Sequence, residues 1–136
     1  MTFEIRPISA AQTWPLRHLL MWPDQPLAYV QLPNDQEGKH YGLFVEQQLV
    51  SIISLFTVSR SVQFRKFATW TNFQEKGYGS ALLKHVFEIV KKKDVSKVWC
   101  NARLDKTDFY LKFGMVETNR HFRKGGIDYI IMEKEV

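Results

Sequence analysis

Hydrophobic and polar positions change period several times along the chain. Phe3 and Ile5 alternate with Glu4 and Arg6 until Pro7, which predicts an opening strand over residues 2–7. Trp14, Leu16, Leu19 and Leu20 then mark one side of a helix that Ser9 can cap and that reaches about Met21, with Pro15 implying a late start or a kink. Residues 22–35, with Pro23, Pro26 and Pro33, have no period and suit either a loop or short helix shaping a pocket, or a packed connector. Strand patterns return over 40–45, 49–59 and 63–70, an antiparallel meander. Tyr78, Leu82, Leu83, Val86, Phe87 and Val90 recur at helical spacing, and that helix ends in Lys91-Lys92-Lys93, cations that the helix dipole favours there. Residues 95–100 read as a buried strand, laid parallel to 63–70 by a right-handed crossover. A short helix over 104–113 carries Phe109 and Phe113 on one face, with Gly114 as its left-handed cap. Strands over 115–118 and 127–133 close the chain, joined by a basic loop of Arg120, His121, Arg123, Lys124, Gly125 and Gly126.

At 136 residues and 45% hydrophobic content, the chain suits one domain, residues 1–136, with a single core. Its apolar runs fall short of the roughly 18 residues of a membrane span, and the first residues lack a basic and then apolar segment, so a cytoplasmic location is the default expectation. Cys100 is the sole cysteine and has no metal-ligand spacing, so neither an internal disulfide nor a metal is expected. A net charge of +5 and a pI near 9.4 favour an anionic partner without selecting one.

Chemistry concentrates where strand turns into helix, at Gln74-Glu75-Lys76-Gly77-Tyr78-Gly79-Ser80. The first four N–H groups of a helix have no intrahelical acceptor, and Gly77 and Gly79 remove side chains that would hold a ligand off them. An anion is their natural partner, with the helix dipole and Lys76 adding attraction. A dinucleotide fingerprint fails because Leu82 stands at its third glycine, and the phosphate-loop pattern G-x-x-x-x-G-K-[ST] is absent. Gln74, Gly77 and Gly79 match Q/R-x-x-G-x-G/A, a pattern that a glycine-tightened connection would also show.

That pattern, within the wider run from Phe67 to Leu83, resembles the pyrophosphate-binding motif of the GNAT superfamily of coenzyme A-dependent N-acetyltransferases. The run Phe109-Tyr110-Leu111-Lys112-Phe113-Gly114-Met115 resembles the second GNAT signature, a short helix bearing F-Y and then a G-F or G-M step. Together the two motifs extend the resemblance over the chain after His40, while the first third agrees in pattern only. The resemblance implies an α/β (α+β) fold: a central mixed, mostly antiparallel sheet of six to seven strands, about four flanking helices, and splayed parallel strands in the middle. It also implies acetyl-CoA as cosubstrate.

By resemblance, the pantetheine arm pairs with Phe67, Ala68 and Thr69 like an added strand, and a backbone N–H near Thr69 polarises the thioester carbonyl. The N–H groups of Glu75, Lys76, Gly77, Tyr78, Gly79 and Ser80 hold the pyrophosphate. Tyr110 is at the position of the general acid for the departing thiolate. Arg103 stands where relatives often have an Asn that contacts the cofactor, a departure that disfavours a pantetheine contact and allows one with a phosphate. Gln63 stands where the histone-modifying branch has a Glu base and cannot serve as one; Glu46, His40 or a relayed water are the candidates left.

The implied activity is direct acetyl transfer to a primary amine of an unidentified small molecule or peptide in a ternary complex, because Cys100 is expected to be buried with no His beside it. No nucleic acid or membrane partner is expected, and the protein is expected to be a monomer or homodimer. One rival is a non-catalytic acyl-CoA-binding or sensing domain. The other is a nucleic-acid-binding module using Arg120, Arg123, Lys124 and the lysine run, which predicts steeply salt-dependent binding.

Overall fold

The computed structural model describes residues 2–136. Its first turn of helix is set by a capping box: the Gln12 N–H donates to Ser9 Oγ at 3.3 Å, and the Ser9 N–H donates to Gln12 Oε1 at 2.8 Å. Strand β1 (Glu4–Ile8) therefore passes directly into α1 (Ala10–Met21), which runs through Pro15 without a late start. Of the expected apolar side only Leu16 is buried; the buried side of α1 is Ala10, Thr13, Leu16 and Arg17, and Leu19 is 53% exposed. The proline-rich connector contains two short 3-10 turns, Leu27–Val30 and Asp35–Glu37.

The meander consists of β2 (Lys39–Val45), β3 (Gln48–Val58) and β4 (Ser61–Thr69). A 3-10 turn at Thr71–Phe73 and the glycine turn lead into α2 (Tyr78–Lys91). Strand β5 (Lys97–Arg103), α3 (Thr107–Leu111), β6 (Val116–Lys124) and β7 (Ile127–Glu135) complete the chain. The seven strands lie in the order β1-β2-β3-β4-β5-β7-β6, every neighbouring pair antiparallel except β4 and β5. The mixed, mostly antiparallel sheet is thus as expected, with three α-helices among the described residues. The expected helix over 104–113 divides into a 3-10 turn (Leu104–Lys106) and α3.

Helix α2 buries Tyr78, Leu82, Leu83, Val86, Phe87 and Val90 against one sheet face, where they meet Leu43, Ile53, Phe64, Val98, Ile130 and Met132. Helix α1 lies against β2, β3 and β4. Because successive side chains in a strand point to opposite faces, this division assigns each strand residue to the α2 face or the α1 face.

The segment expected as a basic loop is a strand. Strand β6 runs to Lys124 and pairs with β7 through Arg123↔Asp128 and Lys124↔Ile127, leaving Gly125 (φ +59°) and Gly126 (φ +78°) as the two-residue turn. Positive φ at both positions is the hairpin geometry that matches strand twist. The β2–β3 hairpin has the same sign of φ at Glu46 (+50°) and Gln47 (+69°), without glycine.

Two irregularities open the middle of the sheet. Strands β4 and β5 pair only through Ser61↔Lys97, Val62↔Val98 and Gln63↔Trp99. From Phe64 and Cys100 onward they separate, although β4 stays bonded to β3 as far as Ser51↔Thr69 and β5 to β7 as far as Arg103↔Tyr129. The β3–β4 register also shifts from Ser54↔Arg65 to Ile52↔Ala68, so β4 holds one extra residue there, and Lys66 lies in the left-handed region at φ +55°. Such a bulge bends its strand and re-aims the side chains around it.

Candidate active site

The wedge between β4 and β5 begins where Phe64 and Cys100 follow the last shared rung. Helix α3 closes it from the α2 side. The Tyr110 ring lies 5.8 Å from that of Phe64, and Phe109 lies 6.0 Å from Phe67 and 5.2 Å from Phe113. Among the described residues, the Tyr110 hydroxyl has no hydrogen-bond partner in the protein, and the residue is partly buried rather than enclosed. Burial, reinforced by the neighbouring Cys100, pushes the Tyr110 phenol above its ordinary range, so it stays protonated. Burial also pushes the Cys100 thiol up to about 12. A thiol held in that state is a poor nucleophile.

Along β4, Trp70 N–H donates to Val50 O at 2.7 Å, so alternation turns the N–H groups of Thr69 and Phe67 toward the side that β5 has left. The Thr69 hydroxyl is fixed 2.9 Å from Ser51 Oγ, and Gln74 Nε2 donates to Thr69 O at 2.9 Å. The motif glutamine thus ties the glycine turn back to the strand. Thr69 is thereby brought beside that turn, with Phe67 and Ala68 preceding it on the same strand.

Within the turn, Glu75 (φ +62°) and Gly77 (φ +85°) are left-handed, and Gly77 caps α2 with no side-chain hydrogen bond. Among the described residues, the N–H groups of Glu75, Lys76, Gly77, Gly79 and Ser80 donate to no backbone carbonyl, and Ala81 N–H is the first to bond back, to Gly77 O at 3.0 Å. A row of such donors at a helix start forms a concavity suited to an anion. The two glycines do different work. Nothing lies within 4 Å of a Cβ built on Gly77, whereas one on Gly79 would meet Thr69 Oγ1 at 3.1 Å and Phe67 Cζ at 3.5 Å, so Gly79 lets α2 approach β4. The Tyr78 ring is in the core, 6.3 Å from Phe73.

The remaining predicted residues lie elsewhere. Arg103, at the end of β5, shares a face with Asn101 opposite the core residues Cys100 and Ala102, and lines an open groove with Asp105, Gly126 and Asp128. Gln63 sits on the last parallel rung. Glu46 occupies the exposed turn beyond Val45↔Gln48, about seven strand residues from the Leu55↔Phe64 level, or roughly 23 Å. His40 is locked: its Nε2 lies 2.9 Å from Asp35 O, which can only accept, so Nδ1 accepts the Ser54 hydroxyl at 2.7 Å. Neither Glu46 nor His40 reaches the vertex of the wedge.

Sequence reasoning missed the polar cluster beneath α1. Arg17, fully buried, donates to both carboxylate oxygens of Asp35 at 2.8 and 2.9 Å, to Ser54 Oγ at 2.9 Å and to Val30 O at 3.0 Å. Asp35 also accepts from Trp14 Nε1 and the Leu32 N–H. Burial alone would raise the Asp35 carboxyl, but the hydrogen bonds from Arg17, Leu32 and Trp14 and the Arg17 charge outweigh it and hold it at about 2. Arg65 and Lys66 were missed as well. Their signal was a change of phase, since the apolar positions Val62 and Phe64 are followed by Phe67 and Thr69, and only an extra residue keeps all four on one face.

Comparison with known proteins agrees with this geometry. Residues 23–136 match the family model of an acetyltransferase (GNAT) domain. The uncharacterized N-acetyltransferase YitI of Bacillus subtilis is 32% identical, over 96% of this chain and 95% of its own. The crystal structure of the Escherichia coli ribosomal-protein-S18-alanine N-acetyltransferase superposes with a TM-score of 0.82 at 16% identity, covering 98% of this chain and 94% of that one. A GNAT family acetyltransferase from Elizabethkingia anophelis, solved with acetyl-CoA bound, superposes with a TM-score of 0.78 at 20% identity and 98% coverage of both chains. The chain belongs to the GNAT acetyltransferase family.

Proposed function

We propose that the protein transfers an acetyl group from acetyl-CoA directly to a primary amine of a small molecule or peptide within a ternary complex. The observation that carries this reading is Tyr110, its ring beside Phe64 at the vertex of the β4–β5 wedge and its hydroxyl without a partner among the described residues, with the donor-rich glycine turn at the far end of β4. A neighbour of the same fold holds acetyl-CoA, which supports that cosubstrate here.

In this reading the pyrophosphate sits on the N–H groups of Glu75, Lys76, Gly77, Tyr78, Gly79 and Ser80, with the Lys76 charge beside it. Gln74 holds that turn to Thr69. The pantetheine amides pair with the open edge of Phe67, Ala68 and Thr69, and the cleft-facing N–H of Phe67, the nearer one to the vertex, polarises the thioester carbonyl. The amine attacks that carbonyl, and the collapsing intermediate expels the coenzyme A thiolate toward Tyr110. A phenol held above its ordinary range stabilises the thiolate by a hydrogen bond rather than by giving up its proton. Arg103 serves a cofactor phosphate or, from its groove beside Asp105 and Asp128, the mouth of the site. With Gln63 an amide, His40 locked and Glu46 remote, proton removal from the amine falls to water relayed along backbone carbonyls. Direct transfer is favoured over an acetyl-enzyme because the Cys100 thiol is held protonated.

Calorimetric titration with acetyl-CoA, beside coenzyme A and a Gly77→Asp, Gly79→Asp variant, tests the site. Tight binding that the variant loses is the expected result. Folded wild-type protein that takes up no acetyl-CoA at high ligand concentration overturns the reading.

A further inference from the structure

On the α1 face of the wedge, charge is unbalanced. Arg65 follows Phe64 by one residue, so its side chain leaves the face that Phe64 shares with α2 and joins the side of Arg17 and Asp35. Lys66, on the bulge, feels Arg65, Arg17, Lys124 and Asp35. Lys124 comes from the tip of the β6–β7 hairpin, and a Cβ on Gly125 would meet Trp22 Cη2 at 3.4 Å, so the hairpin tip touches the end of α1. The bulge, the hairpin tip and the end of α1 thus lie together on the α1 side of the vertex.

Four cations there face one carboxylate, and that carboxylate is committed: Asp35 accepts from Arg17 through both oxygens. Among the described residues, Arg65, Lys66 and Lys124 make no ion pair, whereas Arg123 on the same hairpin is matched to Asp128 at 3.3 Å. Arg65 and Lys66 are half-buried; burial lowers both, reinforced at Arg65 by Arg17 and at Lys66 by Arg65, Arg17 and Lys124, which bring Lys66 to about 8. Half-buried cations without a counter-ion are costly unless a bound anion supplies it. The coenzyme's pyrophosphate does not, because its turn opens α2 on the opposite face.

We propose that the acceptor amine itself carries an anionic group, a carboxylate or phosphate, seated between Arg65 and Lys66 with Lys124 at the rim. The fixed anion orients the acceptor so that its amine reaches the thioester at the vertex. This inference rests on the acetyltransferase reading above and deepens it.

The test is calorimetric binding of matched amines to protein saturated with coenzyme A, where no turnover occurs. β-Alanine is compared with propylamine and O-phosphoethanolamine with ethanolamine, so the pair that responds distinguishes carboxylate from phosphate. At least one acidic member is expected to bind about tenfold or more tightly than its partner, the scale of a charge-assisted contact. An Arg65→Gln, Lys66→Gln variant should erase that preference, while its affinity for coenzyme A stays within about twofold of wild type. Lys124→Gln, outside the core, should lose part of it and keeps the test readable if the double variant does not fold. No discrimination in either pair, or a preference that survives the double variant, overturns the proposal and leaves coenzyme A binding intact. Absence of coenzyme A binding is a different failure, that of the acetyltransferase reading, and the proposal falls with it.

Discussion

Replacing Asp35 by Asn should unfasten α1 and its connector from the sheet. The carboxylate accepts two hydrogen bonds from Arg17, one from Trp14 and one from the Leu32 N–H, and Arg17 is itself fully buried. Lowering the Asp35 pKa from 3.8 to about 2 corresponds to roughly 2.4 kcal/mol of folded-state preference for the charge. Stranding the guanidinium raises the total toward the roughly 3–5 kcal/mol typical of a broken buried pair. Urea unfolding at neutral pH should show that loss, and the melting temperature should fall by about 10–15 °C. The sign of the pH dependence follows from a depressed carboxylate. The contribution is complete above the unfolded value near 3.8 and vanishes as pH falls through about 2, so only wild type should show this part of the acid limb. An Arg17→Met, Asp35→Leu variant, which removes both charges, should recover most of the stability. A single variant within about 1 kcal/mol of wild type, or an acid limb the same in both, would refute the reasoning.

Three further outcomes are expected. Tyr110→Phe removes a hydroxyl with no partner among the described residues, so stability should hold while kcat falls about 10- to 100-fold at unchanged KM for acetyl-CoA, as steady-state release of the coenzyme thiol would show. In wild type, the raised phenol should cause no loss of kcat up to about pH 10, because the proton it must keep is not yet lost. Cys100→Ala should keep its turnover, and mass spectrometry of wild type mixed with acetyl-CoA should find no acetyl-enzyme, as a thiol held near 12 requires. Glu46→Asn with Gln47→Gly suits a turn in which both residues have positive φ, and should raise stability by about 1–2 kcal/mol in thermal unfolding.

What could be read in advance was local. The glycine turn was legible because a helix start and two small residues dictate each other within a few positions, and α2 because its apolar face is unbroken. The parallel pairing of β4 with β5 followed from crossover handedness. Strand β6 was not legible beyond its start, since Glu117 to Lys124 is nearly all polar and owes its extended form to pairing with β7, not to burial. The bulge at Lys66 left only a phase change, since the residue in the left-handed region is no glycine. The Arg17 cluster joins residues far apart in sequence, Arg17, Asp35, His40 and Ser54, and an arginine on a helix ordinarily reads as solvent-facing. In the candidate site, main-chain positions were legible while the cations on the α1 side of the vertex were not, because their meaning depends on which charges lack partners once the chain is folded.

The order of the strands has a consequence for the protein at high concentration. An open sheet exposes two rows of unpaired main-chain groups, here along β1 and β6, and each is a template on which another chain could add a strand. Strand β1 is short and contains Pro7, which cannot donate to such a ladder. Strand β6 carries Arg120, His121, Arg123 and Lys124, and its pairing is interrupted between Glu117 and His121. Repulsion between like-charged edges and a broken hydrogen-bond register oppose end-to-end stacking of sheets, so the molecule resists fibrillar self-association without covering either edge.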